Sequence, residues 1–383
     1  MPPGPGEVLN LIRHGRASTR GEILAVTGLS RMTVAQRVDA LLSSGLVREG
    51  AAERHTGGRR PRALEFNVDH SVVVAASVDT THSRTALTDL AGRVLARRDL
   101  DVAVVDGPER VLHAIADATR TLLADAEVPD ARVGGIGICV PGPIDPVTRR
   151  PSHPPIMPGW DAYPIVEHLQ DVLPVPVFGE NDADAMALGE YVNRYAGCPA
   201  FCFVKVSTGI GSGIVIDGEV YRGVDGGAGD IGHVRLARFP DTLCPCGAHG
   251  CLAAVASGRA VARALTDSGI SATSGRDVRA LLGRGDVEAT RLTQEAGRVI
   301  GEVMATVVCL LNPAVLLLGG DLASAPLISG LRETLYPLSL PRSTRHLDVR
   351  LAALGDDAGV IGMTRAVVDQ VYSAQAVDLR LTS

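Results

Sequence analysis

Three cysteines and two histidines gather in one short stretch of the sequence. Cys244, Cys246 and Cys251 form a Cys-x-Cys-x4-Cys pattern, with His233 upstream of it and His249 inside it. Thiolate sulfur and imidazole nitrogen are preferred zinc ligands, and four of them make a closed tetrahedral site with a structural role. In a reducing compartment such a cluster indicates a metal more often than a disulfide. The alternative is a loop of reduced, unligated cysteines.

The charge distribution points to a second kind of chemistry. The net charge of the chain is −6, yet the segment up to Asn67 holds ten arginines against six acidic residues. A basic segment attached to an acidic body indicates a polyanionic partner for that segment alone.

The pattern of this basic segment predicts a winged helix-turn-helix over residues 1–67. After a short first helix, Thr19 can cap a second helix that ends at Gly28, with Glu22 in the capping-box position. Ser30 can cap a third helix that ends at Gly45. The stretches LVRE and RALEFN then predict two paired strands, joined by an arginine-rich hairpin tip.

In this arrangement the start of the third helix enters the major groove of DNA, and the hairpin tip contacts phosphates or a minor groove. The residues that we expect to contact DNA are Arg31, Thr33, Gln36, Arg37, Arg54, Arg59 and Arg60. The alternative is a helical protein-interaction module with a solvated arginine loop. Agreement of motif, caps and charge favours DNA.

From Ser71 onward the pattern becomes that of an α/β body. Buried strands precede an amphipathic helix and a further strand, and a second strand-rich run begins near residue 200. The two related runs predict a duplicated architecture with a cleft between two lobes. No apolar run reaches the roughly 18 residues of a membrane span, and the N-terminus lacks the regions of a signal peptide. We therefore expect a cytoplasmic protein with no membrane partner.

Eight motifs of the body occur in a fixed order: VPGPID, PGWDAYPI, ENDADAMALGE, STGIGSGIV, GAGDIGH, CPCGAHGCL, NPAVLLLGG and LGDDAGVIG. On these motifs the body resembles the ROK family (repressors, open reading frames and kinases). The resemblance implies a two-lobed, actin-like α/β fold of the sugar kinase/Hsp70 type over residues 68–383. The first lobe would comprise about 68–183 with a C-terminal helix at about 357–383, and the second lobe about 184–356 with the zinc loop.

The resemblance also implies roles for individual residues. It selects His233, Cys244, Cys246 and Cys251 as the zinc ligands, with the zinc bracing one wall of a sugar pocket. In ROK kinases an Asn-Asp pair binds the sugar and deprotonates the attacking hydroxyl, a task suited to a carboxylate. The pair corresponds to Asn181 and Asp182, whose base position we expect to be vestigial. The implied ligand-binding set is Asn181, Asp182, Asp230 and His233.

The chain also departs from the family pattern. Thr81 and His82 stand where ROK kinases have the glycines of Asp-x-Gly-Gly-Thr, which let the backbone approach phosphate. The remnant of the phosphate loops comprises Thr208, Gly209, Gly211, Gly213, Gly319 and Gly320. Phosphoryl transfer depends on positioning, so ATP and Mg²⁺ are not expected. Asp230 and Ala253 replace two glutamates of the family, which predicts weak binding of plain glucose and favours a modified sugar.

Together these features predict a sequence-specific DNA-binding transcriptional regulator of sugar-related genes, a repressor, whose degenerate kinase body senses a sugar or phosphosugar. We expect a homodimer on an operator with two half-sites. One alternative is an active ATP-dependent sugar kinase with a DNA-binding extension. Another is a structural or protein-interaction role without a small ligand. The single tryptophan, Trp160, is expected near the pocket, where its fluorescence would report ligand.

Overall fold

The described residues of the N-terminal segment form three helices and a two-stranded sheet. The computed structural model describes residues 3–50 and 62–382. The elements of this segment are α1 (Pro5–Arg13), α2 (Arg20–Thr27), α3 (Arg31–Ser43), β1 (Val47–Glu49) and β2 (Leu64–Phe66). The two strands pair antiparallel, as LVRE and RALEFN predict.

Local capping explains where the helices of this segment begin and end. The side chain of Thr19 accepts a hydrogen bond from the Glu22 N–H, and Gly28 ends α2 in the left-handed conformation. The Ser30 side chain accepts from the Thr33 N–H at the start of α3. The Glu22 carboxylate accepts from the Ser18 N–H at 2.7 Å, one residue before the cap. The predicted caps are therefore present, with the capping box shifted by one residue.

The first lobe of the body is built on a five-stranded sheet with the order β5-β4-β3-β6-β7. One long helix, α4, packs against β4 and β5. The elements of this lobe are β3 (Val72–Val78), β4 (Ser83–Asp89), β5 (Val94–Leu100), α4 (Pro108–Asp125), β6 (Val133–Val140), α5 (Ile165–Gln170) and β7 (Val177–Asn181).

The second lobe has another five-stranded sheet, with the order β10-β9-β8-β11-β12. Its strands are β8 (Ala200–Val206), β9 (Ile210–Ile216), β10 (Glu219–Val220), β11 (Val315–Gly319) and β12 (Asp348–Leu351). Its helices are α6 (Asp182–Glu190), α7 (Leu252–Ala256), α8 (Gly258–Asp267), α9 (Gly275–Gly283), α10 (Val287–Leu311), α11 (Ala325–Leu338) and α12 (Pro341–Thr344).

The two sheets repeat one topology. In each, the first three strands form an antiparallel meander, the fourth strand pairs parallel with the first, and the fifth pairs parallel with the fourth. The ends of the parallel strands of both sheets face the space between the lobes. The predicted duplicated α/β body is confirmed, and the topology places the carboxyl ends of β3, β7 and β8 at one cleft.

The lobes meet where α6 crosses α13 (Ala358–Val371). At the crossing a Cβ on Gly362 would lie 1.7 Å from the Ala185 carbonyl oxygen, and one on Gly189 would lie 2.1 Å from the Ala358 carbonyl oxygen. Only glycine allows the two backbones to approach this closely. Helix α13 also packs on β3 and β6, so it joins the first sheet to the crossing.

The chain after residue 357 forms two helices, where the sequence predicts one. Helix α13 ends at Val371, and α14 (Ala374–Thr382) packs against α1 of the N-terminal segment. Residues of both helices share one apolar core with α1 and α3. The break after Val371 lets α14 leave the body and cover the apolar face of α1. In the described part of the chain, no helix is both long and apolar enough to span a membrane.

Candidate functional site

A cavity of about 380 Å³ lies between the lobes. It brings together all four residues of the predicted ligand set, Asn181, Asp182, Asp230 and His233. Thr208, Gly209 and Gly211 of the predicted phosphate loop also line it. A cavity of this volume with a few convergent polar groups is typical of a small-molecule site.

The turn from β7 into α6 fixes the first two of these residues. The Asn181 side-chain oxygen caps α6 by accepting from the N–H groups of Ala183 and Asp184, and its nitrogen donates to the Gly142 carbonyl at 3.0 Å. Asp182 follows as the first helical residue and is only 6% exposed. Both side chains are therefore held rigidly at the cavity wall.

A lysine that sequence reasoning missed is the partner of Asp182. Lys205, in the buried strand β8, donates to Asp182 Oδ2 at 2.5 Å and to Asp79 Oδ2 at 3.1 Å. Burial raises the pKa of Asp182, and the nearby ammonium offsets that rise only in part. Lys205 is the only lysine among the 37 Lys and Arg residues of the chain, which is the signal that could have revealed it.

The far wall of the cavity contains Asp230, Ala253 and two arginines. Burial raises the pKa of Asp230, while His233 acts in the opposite direction. Ala253 lines the cavity, as do Arg259 and Arg263 of α8, whose side chains reach it from the exposed face of that helix. The two arginines stand four residues apart on one helix face. They line the cavity together with Ala253, which stands where the family pattern has a glutamate.

The predicted metal ligands come together beside the cavity. One ligand atom from each of His233, Cys244, Cys246 and Cys251 lies within 4.8 Å of the others. The Cys246 and Cys251 sulfurs are 3.7 Å apart, and Cys244 Sγ is 3.9 Å from His233 Nδ1. Zinc–sulfur bonds of about 2.3 Å place two sulfurs of a tetrahedron about 3.8 Å apart. The donor set therefore fits a zinc ion, and His249 is not part of it.

Two ligands of this cluster, His233 and Cys244, also line the cavity. The loop is held by an antiparallel bridge between Leu243 and His249 and by a hydrogen bond from the Cys244 N–H to the Ala248 carbonyl at 2.8 Å. A metal bound here would brace the cavity wall against the start of α7.

A smaller cavity of about 220 Å³ adjoins the first on the side of the other phosphate-loop residues. Gly319 and Gly320 line it, with His82 and Asp79. Gly213 lies elsewhere: it is inside β9, where a Cβ would meet the Ala183 carbonyl oxygen at 2.5 Å. Its role is close strand–helix packing, which a pattern of glycines alone does not distinguish from a phosphate loop.

The turn that follows β3 is occupied by contacts between the lobes. Thr80 Oγ1 and Thr208 Oγ1 are hydrogen-bonded at 2.6 Å, and Arg276 of α9 donates to His82 Nε2 at 2.7 Å. Within the second lobe, Ser207 Oγ accepts from the Asp321 N–H at 3.0 Å. In this turn the Thr80 N–H is bonded to Asp79 Oδ1 at 2.6 Å, whereas a phosphate-binding loop needs free backbone N–H groups.

Trp160 does not line the cavity, near which it was expected. Trp160 is fully buried in the core of the first lobe, and its Nε1 donates to the Val104 carbonyl at 2.8 Å. Pro155 and Ile156 of the same segment line the cavity instead. An indole is the largest apolar side chain in the segment, and the core under α4 buries it.

In the N-terminal segment, the exposed start of α3 carries Arg31, Met32 and Gln36. Thr33 is half-buried and hydrogen-bonded to Ser30. Arg37 does not face outward as expected: it is half-buried, and one guanidinium nitrogen is buried without a partner. It follows Val34 by one helical turn and precedes Val38, so it flanks the packed face. Arg54, Arg59 and Arg60 lie outside the described residues.

Comparison with known proteins agrees with this architecture. The family model described as "ROK family" matches residues 74–370. The xylose repressor of Bacillus subtilis (strain 168) is 29% identical, over 92% of this chain and 91% of its own. The glucokinase of Halalkalibacterium halodurans is also 29% identical, but covers 76% of this chain and 92% of its own.

A solved structure extends the comparison to the whole chain. The crystal structure of a ROK family transcriptional regulator, a homolog of the E. coli MLC protein, superposes with a TM-score of 0.83 at 23% identity. It covers 99% of this chain and 98% of its own, so the likeness in fold includes the N-terminal segment. The fold and cleft define a two-lobed, actin-like α/β body behind an N-terminal helical segment. The chain belongs to the ROK family, as the eight motifs predict.

Proposed function

We propose that the protein is a sugar-responsive, sequence-specific DNA-binding transcriptional repressor. The observation that carries this proposal is the extent of the similarity: the xylose repressors of Bacillus subtilis and Caldicellulosiruptor bescii match over 92% and 96% of the chain, whereas the glucokinase matches over 76%. The helix-turn-helix geometry of α2 and α3 and the basic charge of the segment support the same role.

DNA contact is assigned to the exposed start of α3. Arg31 and Gln36 have the side chains that read base edges in a major groove, and Thr33 can contact a phosphate. Arg37 is a less suitable reader because it is half-buried. Arg54, Arg59 and Arg60, which lie outside the described residues, stay candidates for phosphate contacts on their charge alone.

Selection of bound sequences from a random DNA pool tests this assignment with the full-length chain. The selected sites should contain two related half-sites, bound by a homodimer. Arg31→Ala should relax the preference at one position by about 1–3 kcal/mol, while Arg291→Ala, on the exposed face of α10, serves as a matched loss of charge. Recovery of no sequence above the random pool would contradict the proposal.

The effector is proposed to be a sugar bound in the larger cavity. Xylose is the first candidate because the relatives that match over 92% and 96% of the chain are xylose repressors. A phosphorylated or acidic sugar is the second, because Arg259 and Arg263 line the cavity beside Ala253. DNA affinity measured with xylose, glucose, glucose 6-phosphate and gluconate distinguishes a neutral effector from an anionic one.

The His-Cys₃ cluster is proposed to hold a structural zinc. With four protein ligands no coordination position is left for a substrate, so the ion would stabilise the loop without acting on the ligand. His233 and Cys244 would then act as fixed parts of the pocket wall.

An active sugar kinase is the second candidate, favoured by Asp182 at the family base position and by the similarity to a glucokinase. An assay of ATP-dependent phosphorylation of glucose and xylose decides between the two. We expect no turnover, and a rate in the ordinary kinase range of about 1–100 per second would establish the second candidate.

A further inference from the structure

The cleft has its own buried cation, the ammonium of Lys205. Its side chain is 9% exposed, and those of Asp182 and Asp79 are 8% and 21% exposed. Burying an ammonium costs several kcal/mol unless carboxylates pair with it. Burial would lower the pKa of Lys205, but the charges of Asp182 and Asp79 outweigh that effect and raise it. The group is therefore a permanent positive charge at the base of the cleft.

The Lys205 ammonium lies between two carboxylates, which is where a metal-dependent phosphoryl transferase would bind its divalent ion. Mg²⁺ in phosphoryl-transfer sites is held by one or two carboxylates together with phosphate oxygens. Here the two carboxylates that converge between the lobes hold an ammonium within 3.1 Å. A divalent ion at the same point would meet a like charge that is largely buried and therefore only weakly screened.

Two further contacts cross the cleft near Lys205. The bond between Thr80 and Thr208 joins the two loops between which phosphates would have to lie. Arg276 reaches His82 from α9, and its guanidinium is also 3.9 Å from Asp321 and from Asp356. The turn after β3 thus contacts β8, the β8–β9 turn and α9.

We propose that Lys205 takes the place of a divalent metal ion between Asp79 and Asp182. Together with the Thr80–Thr208 and Arg276–His82 contacts, it holds the two lobes together without nucleotide. We call this set of contacts the clasp. The Mg²⁺ and nucleotide implied by the kinase relatives do not fit this side of the cleft. The proposal deepens the proposed role of the body as a sensor, since the larger cavity stays open beside the clasp.

The test is Mn²⁺ binding to the full-length chain, measured by the electron paramagnetic resonance signal of free Mn²⁺. Lys205→Met removes the charge at nearly constant length, and it should bind one Mn²⁺ per chain at least tenfold more tightly than the unmodified protein. Lys205→Met combined with Asp182→Asn leaves Asp79 as the only carboxylate of the three groups. This double variant should lose the gain in Mn²⁺ affinity. Thr80→Val removes a neighbouring hydrogen bond only and should not create a site.

Two outcomes would overturn the proposal: a folded Lys205→Met chain with no gain in Mn²⁺ affinity, or equal Mn²⁺ binding by the unmodified protein. If the variant does not fold, the unmodified chain still decides the question. Its single lysine should resist acetic anhydride until denaturant is added, as read by mass spectrometry. It should also show no heat of binding with Mg²⁺ and a non-hydrolysable ATP analogue at millimolar concentration. Labelling of native Lys205 or nucleotide binding would refute the clasp. None of these readouts depends on DNA binding, so the clasp and the repressor role can fail separately.

Discussion

The two sides of the cleft differ in what fills them. On the side of the metal cluster a cavity of about 380 Å³ stays open among Asn181, Asp182, Asp230 and His233. On the side of His82 the cavity is smaller, about 220 Å³, and Arg276 of α9 reaches His82, while the bonded pair Thr80 and Thr208 lies in the wall of the larger cavity. The same two-lobed fold can therefore present one open ligand site and one bridged site. We refer to them as the open side and the bridged side.

The difference matters because the cleft is connected to the N-terminal segment. Asp182 begins α6, α6 crosses α13 at Gly189 and Gly362, and α13 carries Asp369, which pairs with Arg13 of α1 at 2.6 Å. A ligand shifts the arrangement of the lobes only by its differential affinity for the two states. A body already bridged on one side can respond to a single ligand on the other.

The largest expected effect is on the open side, through the metal cluster. Cys246→Ala should release the metal and destabilise the body by several kcal/mol, because metal binding and folding are coupled. Cys309→Ala, a single exposed cysteine of α10, is the control. Metal content by atomic emission and urea unfolding measure the result. Full metal content in Cys246→Ala would show that Cys246 is not a metal ligand and that the cluster does not stabilise the open side.

Ligand affinity should depend on the open side alone. Asp230→Ala should weaken binding of the effector sugar about ten- to a hundredfold, the cost of about 1.5–3 kcal/mol for a hydrogen bond to a charged group. His82→Ala should leave the affinity within twofold, because His82 lies on the bridged side. Calorimetry with both variants measures the contrast. Equal losses in the two variants would mean that the ligand spans both sides.

The contact between the body and α1 should affect stability and coupling less. Arg13 is 12% exposed at its side chain and also donates to the Val368 carbonyl at 3.1 Å. Arg13→Ala should cost about 1–3 kcal/mol in the unfolding of the N-terminal segment, because it removes a hydrogen bond to a charged group, while Asp369 keeps its ion pair with Arg365. Arg16→Ala, on an exposed side chain nearby, is the control. The expected signature is a smaller effect of sugar on DNA affinity with the sugar affinity unchanged.

The bridged side should respond to acid. Burial and, next, the Arg276 charge lower the pKa of His82. As the pH falls below about 6.5, the ordinary histidine value, the unfolded chain binds a proton that the folded chain refuses. Stability should therefore decrease as the pH is lowered from about 6.5 to the lowered pKa of His82. Above about pH 6.5 stability should not depend on the titration of His82.

The slope should be a fraction of the roughly 1.4 kcal/mol per pH unit of one full proton, because His82 keeps some exposure to solvent. His82→Gln should flatten this part of the profile measured by urea unfolding between pH 5 and 8. His113→Gln, at an exposed position of α4, should leave it unchanged. Identical slopes in all three proteins would show that the His82 contact does not contribute to the bridge.

The smallest effect should be on tryptophan fluorescence. Trp160 lies in the core of the first lobe and not at the cavity, so its emission should change little when sugar binds. Ile156→Trp in a Trp160→Phe background would place an indole at the cavity wall and should report the ligand directly. A large change in Trp160 emission would indicate that the first lobe itself deforms on the open side.

The sequence alone determined the features that depend on neighbouring residues. Thr19, Ser30 and Gly28 define where α2 and α3 begin and where α2 ends, because a cap acts within one helical turn. Cys244, Cys246 and Cys251 indicate the metal cluster because their spacing fits a single loop around an ion. The order of eight motifs likewise predicted the two-lobed fold and the family.

Only the tertiary structure decided which distant side chains meet. Lys205 joins Asp79 and Asp182 because the ends of β3, β7 and β8 converge on one cleft. Nothing near Lys205 in the sequence indicates those partners. The same holds for Gly213 and Arg37, whose roles depend on the helix or core beside them. Local spacing is set by covalent geometry and can be read along the chain, whereas burial and charge pairing are set by packing, which the linear pattern does not contain.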